Sequence, residues 1–127
     1  MKISKKTEYG LRAMVYLAKN QNKKALSIRE ISNNEVMPFE FLGKIFADLE
    51  KAKLVKAKLG ISGGYFLAKP AGKINVNDIM LALKEDQMLV DCAMCKKNKK
   101  CASKNVWNRL KITINKTLKK VTLNQLI

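Results

Sequence analysis

Three cysteines fall within ten positions, in the pattern Cys92-x2-Cys95-x5-Cys101, and the chain has no others. Thiolates are soft ligands that select iron-sulfur clusters, zinc or copper(I). A disulfide framework would leave one of the three sulfurs unpaired, so a metal site is the better reading. Lys96, Lys97, Lys99 and Lys100 surround the trio. Positive neighbours lower thiol pKa and offset the negative charge of a thiolate-ligated cluster. Structural zinc wants four ligands where only three thiolates are in sight, which weighs against zinc without removing it. A thioredoxin-like role for Cys92 and Cys95 lacks its strand-helix context, and incidental cysteines on a basic loop are the bland alternative. The chain has no histidine, so mechanisms using imidazole as base, ligand or pH switch are excluded. No nucleophile-base pair, phosphate loop or cofactor fingerprint is visible, and an enzyme is not expected.

The rest of the chain must position that loop. Its 127 residues, 47% apolar, suffice for one domain with one core. Twenty-six Lys and Arg against ten Asp and Glu give a formal charge of +16, which points to a polyanionic partner, nucleic acid or an acidic membrane. The abundance of Lys and Asn also fits an AT-rich genome, so charge alone is only suggestive. The longest apolar run, Ala13 to Ala18, is six residues, whereas a membrane span needs about 20. The basic start Met1-Lys2-Ile3-Ser4-Lys5-Lys6 is not followed by a signal-peptide core, and the chain reads as cytoplasmic.

Hydrophobic periodicity predicts an amphipathic helix over Tyr9 to Lys19, followed by a polar turn, Asn20 to Lys24. Ser27-Ile28-Arg29-Glu30 is a capping box opening a short second helix to about Asn33. Pro38, at the first helical position, opens a third helix to about Lys53. Phe39, Leu42, Ile45, Phe46 and Leu49 are expected on its inner face, with Glu40, Phe41, Gly43, Lys44 and Asp48 elsewhere. Two strand-like runs, Leu54 to Leu59 and Tyr65 to Ala68, flank the glycine-tipped turn Gly60-Ile61-Ser62-Gly63-Gly64. Val76 to Leu83 is a short helix with Ile79, Met80 and Leu83 on one face. From Asn105, Trp107, Leu110, Ile114, Leu118 and Val121 form a narrow apolar stripe suited to another helix. Thr122-Leu123-Asn124-Gln125 is a second capping box. The expected fold class is mainly α with a small β-hairpin, a winged helix-turn-helix plus a long C-terminal dimerisation helix. The expected division is 1–72 winged helix, 73–103 short helix and cysteine loop, and 104–127 dimerisation helix and C-terminal end.

Tyr9 with Ala13-Met14, the hairpin Gly63-Gly64-Tyr65, the three-cysteine loop and the Trp107 to Ile127 tail with its Thr122-Leu123 restart resemble the winged-helix regulators typified by IscR and NsrR, the Rrf2 family. The likeness spans almost the whole chain and preserves motif order. It implies a DNA-binding transcriptional regulator, a repressor, whose operator binding is controlled by an iron-sulfur cluster that senses nitric oxide or redox state. The alternatives are a sensor of iron or cluster status, and a zinc- or thiol-based DNA-binding regulator. The helix opening at Pro38 would enter the major groove, and the Lys58 to Gly64 wing would follow the backbone or minor groove. The implied DNA-contacting set is Lys5, Lys6, Tyr9, Ser27, Glu40, Phe41, Lys44, Lys56, Lys58, Ser62 and Gly63. Within it, Lys44 can meet phosphate or guanine, Glu40 a cytosine amino group and Phe41 a thymine methyl. Lys5, Lys6, Lys56 and Lys58 suit phosphate. Packing against the second helix is the structural alternative for Phe41, and plain solvation that for Lys44.

Residues 1–24 carry seven positive and one negative charges, residues 25–70 seven and five, and residues 71–127 twelve and four, so the reading segment is nearly neutral. Flanking lysines would supply salt-sensitive affinity. Leu59 stands where a basic wing residue is frequent in the family, and Gly43 where a larger side chain often stands. The resemblance also implies that Cys92, Cys95 and Cys101 ligate the cluster. Members of the IscR type complete a [2Fe-2S] site with a histidine just after the third cysteine, where this chain has Lys104, so [4Fe-4S] is the favoured form. Members of the NsrR type supply a carboxylate from the first helix of the partner subunit, and Glu8 matches it, with Asp91 as local competitor. Glu8 has an alternative role as a helix N-terminal residue favoured by the macrodipole. The apolar stripe after Asn105 implies a homodimer, a palindromic operator with half-sites about 34 Å apart, and no membrane.

Overall fold

A computed structural model of the chain describes residues 2–20, 24–85 and 101–127. Cys92, Cys95, Asp91 and the lysines around them lie outside these residues, as does most of the turn expected over Asn20 to Lys24. Among the described residues there are five α-helices and one two-stranded antiparallel hairpin, in the order of a winged helix-turn-helix followed by a long helix.

Helix α1 spans Lys5–Lys19, a turn earlier than its apolar periodicity suggests. The start signal is Ser4, whose hydroxyl accepts from the amide of Thr7 and so satisfies one of the free donors of the first turn. A second acceptor arrives from the far end of the winged-helix unit. The Glu85 carboxylate accepts from the Ser4 amide at 3.2 Å, from the Ser4 hydroxyl at 2.5 Å and from the hydroxyl of buried Thr7. An anion here also suits the positive end of the helix. These bonds, the Ser4 side chain first and Thr7 second, hold the Glu85 carboxyl below the usual glutamate range.

Helix α2 covers Ile28–Glu35, with the Ser27 hydroxyl accepting from the Glu30 amide, so the hydroxyl half of the expected box forms. It ends at Val36 in the left-handed region, φ 54°. The turn survives a β-branched residue there because Ser32 holds it from inside. The Met37 amide donates to the Ser32 carbonyl, and the buried Ser32 hydroxyl donates to the Met37 carbonyl at 2.5 Å. Pro38 is the cap of helix α3, Phe39–Lys51, which therefore begins one position after the expected start.

Strands β1, Val55–Lys58, and β2, Gly64–Leu67, pair from Val55↔Leu67 to Lys58↔Gly64. A third segment joins them that periodicity does not signal. Leu26 and Tyr65 exchange both backbone hydrogen bonds, at 2.9 and 2.7 Å, tying the wing to the residue before the α2 cap. Gly64 permits this, since a Cβ there would fall on the Leu26 backbone.

Helix α4, Val76–Ala82, carries a full capping box between Asn75 and Asp78. Helix α5, Lys104–Lys120, buries no residue fully. The expected box at Thr122 forms with Gln125 and opens a 3₁₀ turn, Leu123–Leu126, whose Leu123 is fully buried. Amides of Val76 and Leu123 donate to Val121 and Ile74, stitching the chain end to the start of α4. The core gathers Ala13, Met14 and Leu17 of α1, Ile31 of α2, Leu42, Ile45, Phe46 and Leu49 of α3, Ile79 of α4 and Leu123. Gly10 lets α1 and α4 close up, because a Cβ there would occupy the space of Leu83. No helix among the described residues is long and apolar enough to cross a membrane.

Because the folded-state pKa of Glu85 is lowered, its stabilising effect is complete above the ordinary glutamate pKa and is lost as pH falls through the folded value. Glu85→Gln should therefore be roughly 1 kcal/mol less stable than wild type at neutral pH. Thermal melts at stepped pH should show that gap closing below the ordinary glutamate value.

Candidate nucleic-acid interface and metal ligands

Helix α3 turns Leu42, Ile45, Phe46 and Leu49 into the core, which leaves Glu40 and Lys44 exposed on its outer side. Neither has an ion-pair partner among the described residues. A Cβ on Gly43 would meet nothing within 4 Å, so this helix offers an open surface between its two charged side chains. Lys56 and Lys58 are exposed on β1, and Ser62 is exposed on the wing. Gly63 lies within the wing turn, its amide donating to the Gly60 carbonyl at 3.0 Å. Leu59 and Ile61 are fully exposed at the wing tip. Ser27 uses its hydroxyl oxygen to cap α2, which leaves the hydroxyl hydrogen to donate.

The aromatic residues of α3 exchange their expected places. Phe41 is half-buried and sits edge-on to Tyr9, with centroids 5.7 Å apart and planes at 76°. Its ring thus braces α3 against α1 rather than α2. Phe39, expected on the inner face, is 44% exposed, because at the first turn of α3 it projects past the covering elements. The Arg29 guanidinium lies 4.7 Å from its centroid. Tyr9 is itself half-buried beneath Arg12, at 5.8 Å, and Arg12 donates to the Glu35 carbonyl at 2.6 Å. Tyr9, Phe41, Arg12 and Glu35 thereby lock the three helices together.

The two N-terminal lysines have different fates. Lys5 is exposed and forms only a surface pair with Glu8 at 3.4 Å, an interaction worth little. Lys6 meets Asp48 of α3 at 2.5 Å, with the two side chains 31% and 17% exposed. The hydrogen bond from Lys6 is the main reason the Asp48 carboxyl sits below its ordinary range. Lys6 is therefore engaged in holding α3 to α1, which takes it out of the set free to meet phosphate.

Of the cysteines, Cys101 is described. Its thiol is free and half-buried on the turn that opens α5, where the Cys101 carbonyl accepts from the Lys104 amide at 3.2 Å. Glu8 lies on the first turn of α1, exposed and, among the described residues, paired with Lys5 alone. Among the described residues no three Cys, Asp or Glu side chains converge on a point. The donor chemistry nevertheless fits an iron-sulfur group: thiol sulfur, an accessible carboxylate and no competing imidazole. Glu85, the last described residue before Cys92, is bonded to Ser4 and Thr7, next to Glu8. Glu85, Ser4, Arg29 and Phe39 are absent from the site residues expected from the sequence. For Ser4 the signal was its position four residues before Glu8 in an otherwise uncapped helix, while Glu85 carried none.

A family model described as Rrf2, iron-dependent transcriptional regulator, matches residues 3–127. The HTH-type transcriptional regulator NsrR of Oceanobacillus iheyensis is 31% identical over 132 residues, covering all of this chain and 90% of that protein. Among solved structures, CymR of B. subtilis, titled the global cysteine regulator, aligns with a TM-score of 0.87 at 28% identity, covering 99% of this chain and 95% of that one. IscR of T. potens aligns with a TM-score of 0.84 at 32% identity, covering 99% and 85%.

Lys56→Ala should weaken binding to duplex DNA severalfold and lower the slope of log affinity against log salt by about one per bound half-site. Lys6→Ala should leave that slope unchanged and instead lower the melting temperature. Fluorescence anisotropy at several salt concentrations, beside thermal melts, separates the two.

Proposed function

The chain belongs to the Rrf2 family of transcriptional regulators, and from that premise we propose that it is a dimeric repressor whose operator binding is governed by an iron-sulfur cluster on Cys92, Cys95, Cys101 and Glu8. DNA binding and regulation of transcription follow from membership, and the relatives are regulators rather than enzymes. The observation that carries the finer reading is the outer side of α3, where Glu40 and Lys44 have no ion-pair partner among the described residues and stand beside a wing bearing Lys56 and Lys58. Glu40 and Lys44 read base edges, and the lysines with Lys5 and Ser27 position the protein on phosphates. Tyr9, braced by Phe41 and Arg12, lies at the edge of this surface. The wing meets the minor groove with Leu59 and Ile61 at its tip and Ser62 and Gly63 behind, so contact there is mainly van der Waals.

Support for a dimer comes from α5. Leu110, Ile114, Leu118 and Val121 are only half-buried and Trp107 is exposed, so one side of this helix lacks a complete cover among the described residues. A second copy supplies it, sets two reading helices about 34 Å apart and calls for a palindromic operator.

A [4Fe-4S] cluster would supply thiolate-held iron with one oxygen-ligated corner that exchanges readily with nitric oxide or oxygen. The chain's own part is to present three thiolates in a lysine-rich setting and a carboxylate on α1, while Glu85 pins the start of the cysteine segment to that helix. Coupling of this kind needs to be only modest, since a 100-fold change in operator affinity corresponds to about 2.7 kcal/mol. A sensor of iron or cluster status would use the same ligands and respond first to iron limitation. A zinc- or thiol-based regulator is the second reading, and it draws on the likeness to CymR and on the free thiol of Cys101.

Anaerobically purified wild type should be coloured and carry iron and acid-labile sulfide, whereas Cys95→Ala should be colourless with changed operator affinity. Stoichiometric zinc in colourless wild type would favour the second reading. Glu8→Ala should leave binding of the metal-free protein to DNA intact but change the absorbance spectrum and its response to nitric oxide. For the dimer, Ile114→Glu should sediment as a monomer in analytical ultracentrifugation and bind a palindromic duplex at least tenfold more weakly, through loss of the second reading helix.

A further inference from the structure

Arginine is scarce in this lysine-rich chain, occurring only as Arg12, Arg29 and Arg109. Two of the three lie over aromatic rings, Arg12 on Tyr9 and Arg29 on Phe39. A guanidinium is flat and stacks well, whereas a lysine ammonium is a hydrated point charge on a flexible stem. In a sequence so weighted to lysine, an arginine on a ring marks a place where a planar cation serves and a round one does not.

The two pairs differ in what they leave over. Arg12 donates to the Glu35 carbonyl at 2.6 Å and lies 3.7 Å from its carboxylate, so its fork is used within the fold. Arg29 is exposed and has no carboxylate at ion-pair distance among the described residues. Phe39 is equally unusual, since Phe46 fills the core while this ring stands 44% exposed. Its one ring or charge contact among the described residues is the guanidinium, 4.7 Å from its centroid. The ring supports the arginine more than it fills space.

Arg29 belongs to the first turn of α2 and Phe39 to the first turn of α3, so their contact joins the two helices of the helix-turn-helix. In such motifs the second helix enters the major groove while the first crosses the sugar-phosphate backbone. A forked cation at this junction matches the two free oxygens of a phosphodiester. We propose that Arg29 and Phe39 form a prealigned phosphate clamp, the ring holding the guanidinium for bidentate contact with one backbone phosphate of each half-site. The clamp rests on the reading of α3 as the DNA-reading helix. It fixes the register of the protein on the duplex and carries no sequence preference itself. Stacking restricts the arginine before DNA arrives, so less freedom is lost on binding.

The test uses the duplex that wild type enriches from a random-sequence pool. Arg29→Ala should bind it at least tenfold more weakly and lower the salt slope by about two, one for each half-site. Arg29→Lys should keep the slope but lose severalfold in affinity. Phe39→Leu should cost a similar factor in the wild-type background and nothing in the Arg29→Lys background, while Phe39→Trp should bind like wild type. The enriched sequence should be the same for every variant. Wild-type affinity in Arg29→Ala would overturn the clamp, as would equal Phe39→Leu losses in both backgrounds. Failure of wild type itself to bind any duplex would remove the reading role of α3 and the clamp with it. Circular dichroism melts of these surface variants show that each is folded.

Discussion

Burial of one side of α1 is the constraint on which the rest of the molecule depends. Ala13, Met14 and Leu17 have no exposed surface, and residues of α2, α3, α4 and the chain end all pack around them. Each fully buried side chain of Leu or Met size contributes about 1.5–3 kcal/mol, so the helix cannot shift without disturbing every neighbour. The reading helix is fixed to this strut by Ile45 and Phe46 inside, by Lys6 and Asp48 at the margin, and by Tyr9 against Phe41. Glu8 rides on the same strut, near the point where Glu85 docks. A candidate ligand on α1 and the candidate DNA-reading surface of α3 are thereby braced against each other, which is a physical route for an event at one to be felt at the other.

The charge of +16 takes on meaning from where the few acids sit. Asp48 is bonded to Lys6, Glu35 to Arg12, Glu85 to the start of α1 and Asp78 to the start of α4. Four of the eight described carboxylates thus build the fold, while the lysines of α3 and the wing have no ion-pair partner among the described residues. The reading segment is nearly neutral by count yet presents mainly cations on its outer surface, with Glu40 and Glu50 the exceptions.

Much of this was legible in the residues. Ser27, Pro38 and Thr122 mark real helix starts, and the glycine run between two strand-like segments marks a real hairpin. Other features were hidden for identifiable reasons. The start of α1 was obscured because Ser4 is followed by lysines rather than by an apolar period, and its second acceptor lies 81 residues away. Phe39 has the spacing of an inner-face residue, but periodicity cannot tell that the first turn of a helix overhangs its partners. The Leu26 to Tyr65 pairing is made by backbone alone, and no side-chain pattern announces it. For the metal ligands, spacing makes a trio of sulfurs conspicuous, yet Cys92 and Cys95 lie outside the described residues and Cys101 and Glu8 are not brought together with other donors.

That backbone pairing has a consequence for how such a protein can diversify. Because β2 is clasped by β1 on one edge and by Leu26 on the other, the base of the wing is part of the frame that carries the helix-turn-helix. The tip, residues 59–63, projects beyond the last rung at Lys58 and Gly64. Replacements at Leu59, Ile61 and Ser62 leave the frame untouched, whereas a Cβ on Gly63 would strike the Lys58 carbonyl, so the three exposed side chains of the tip can be exchanged as a cassette, independently of the helices.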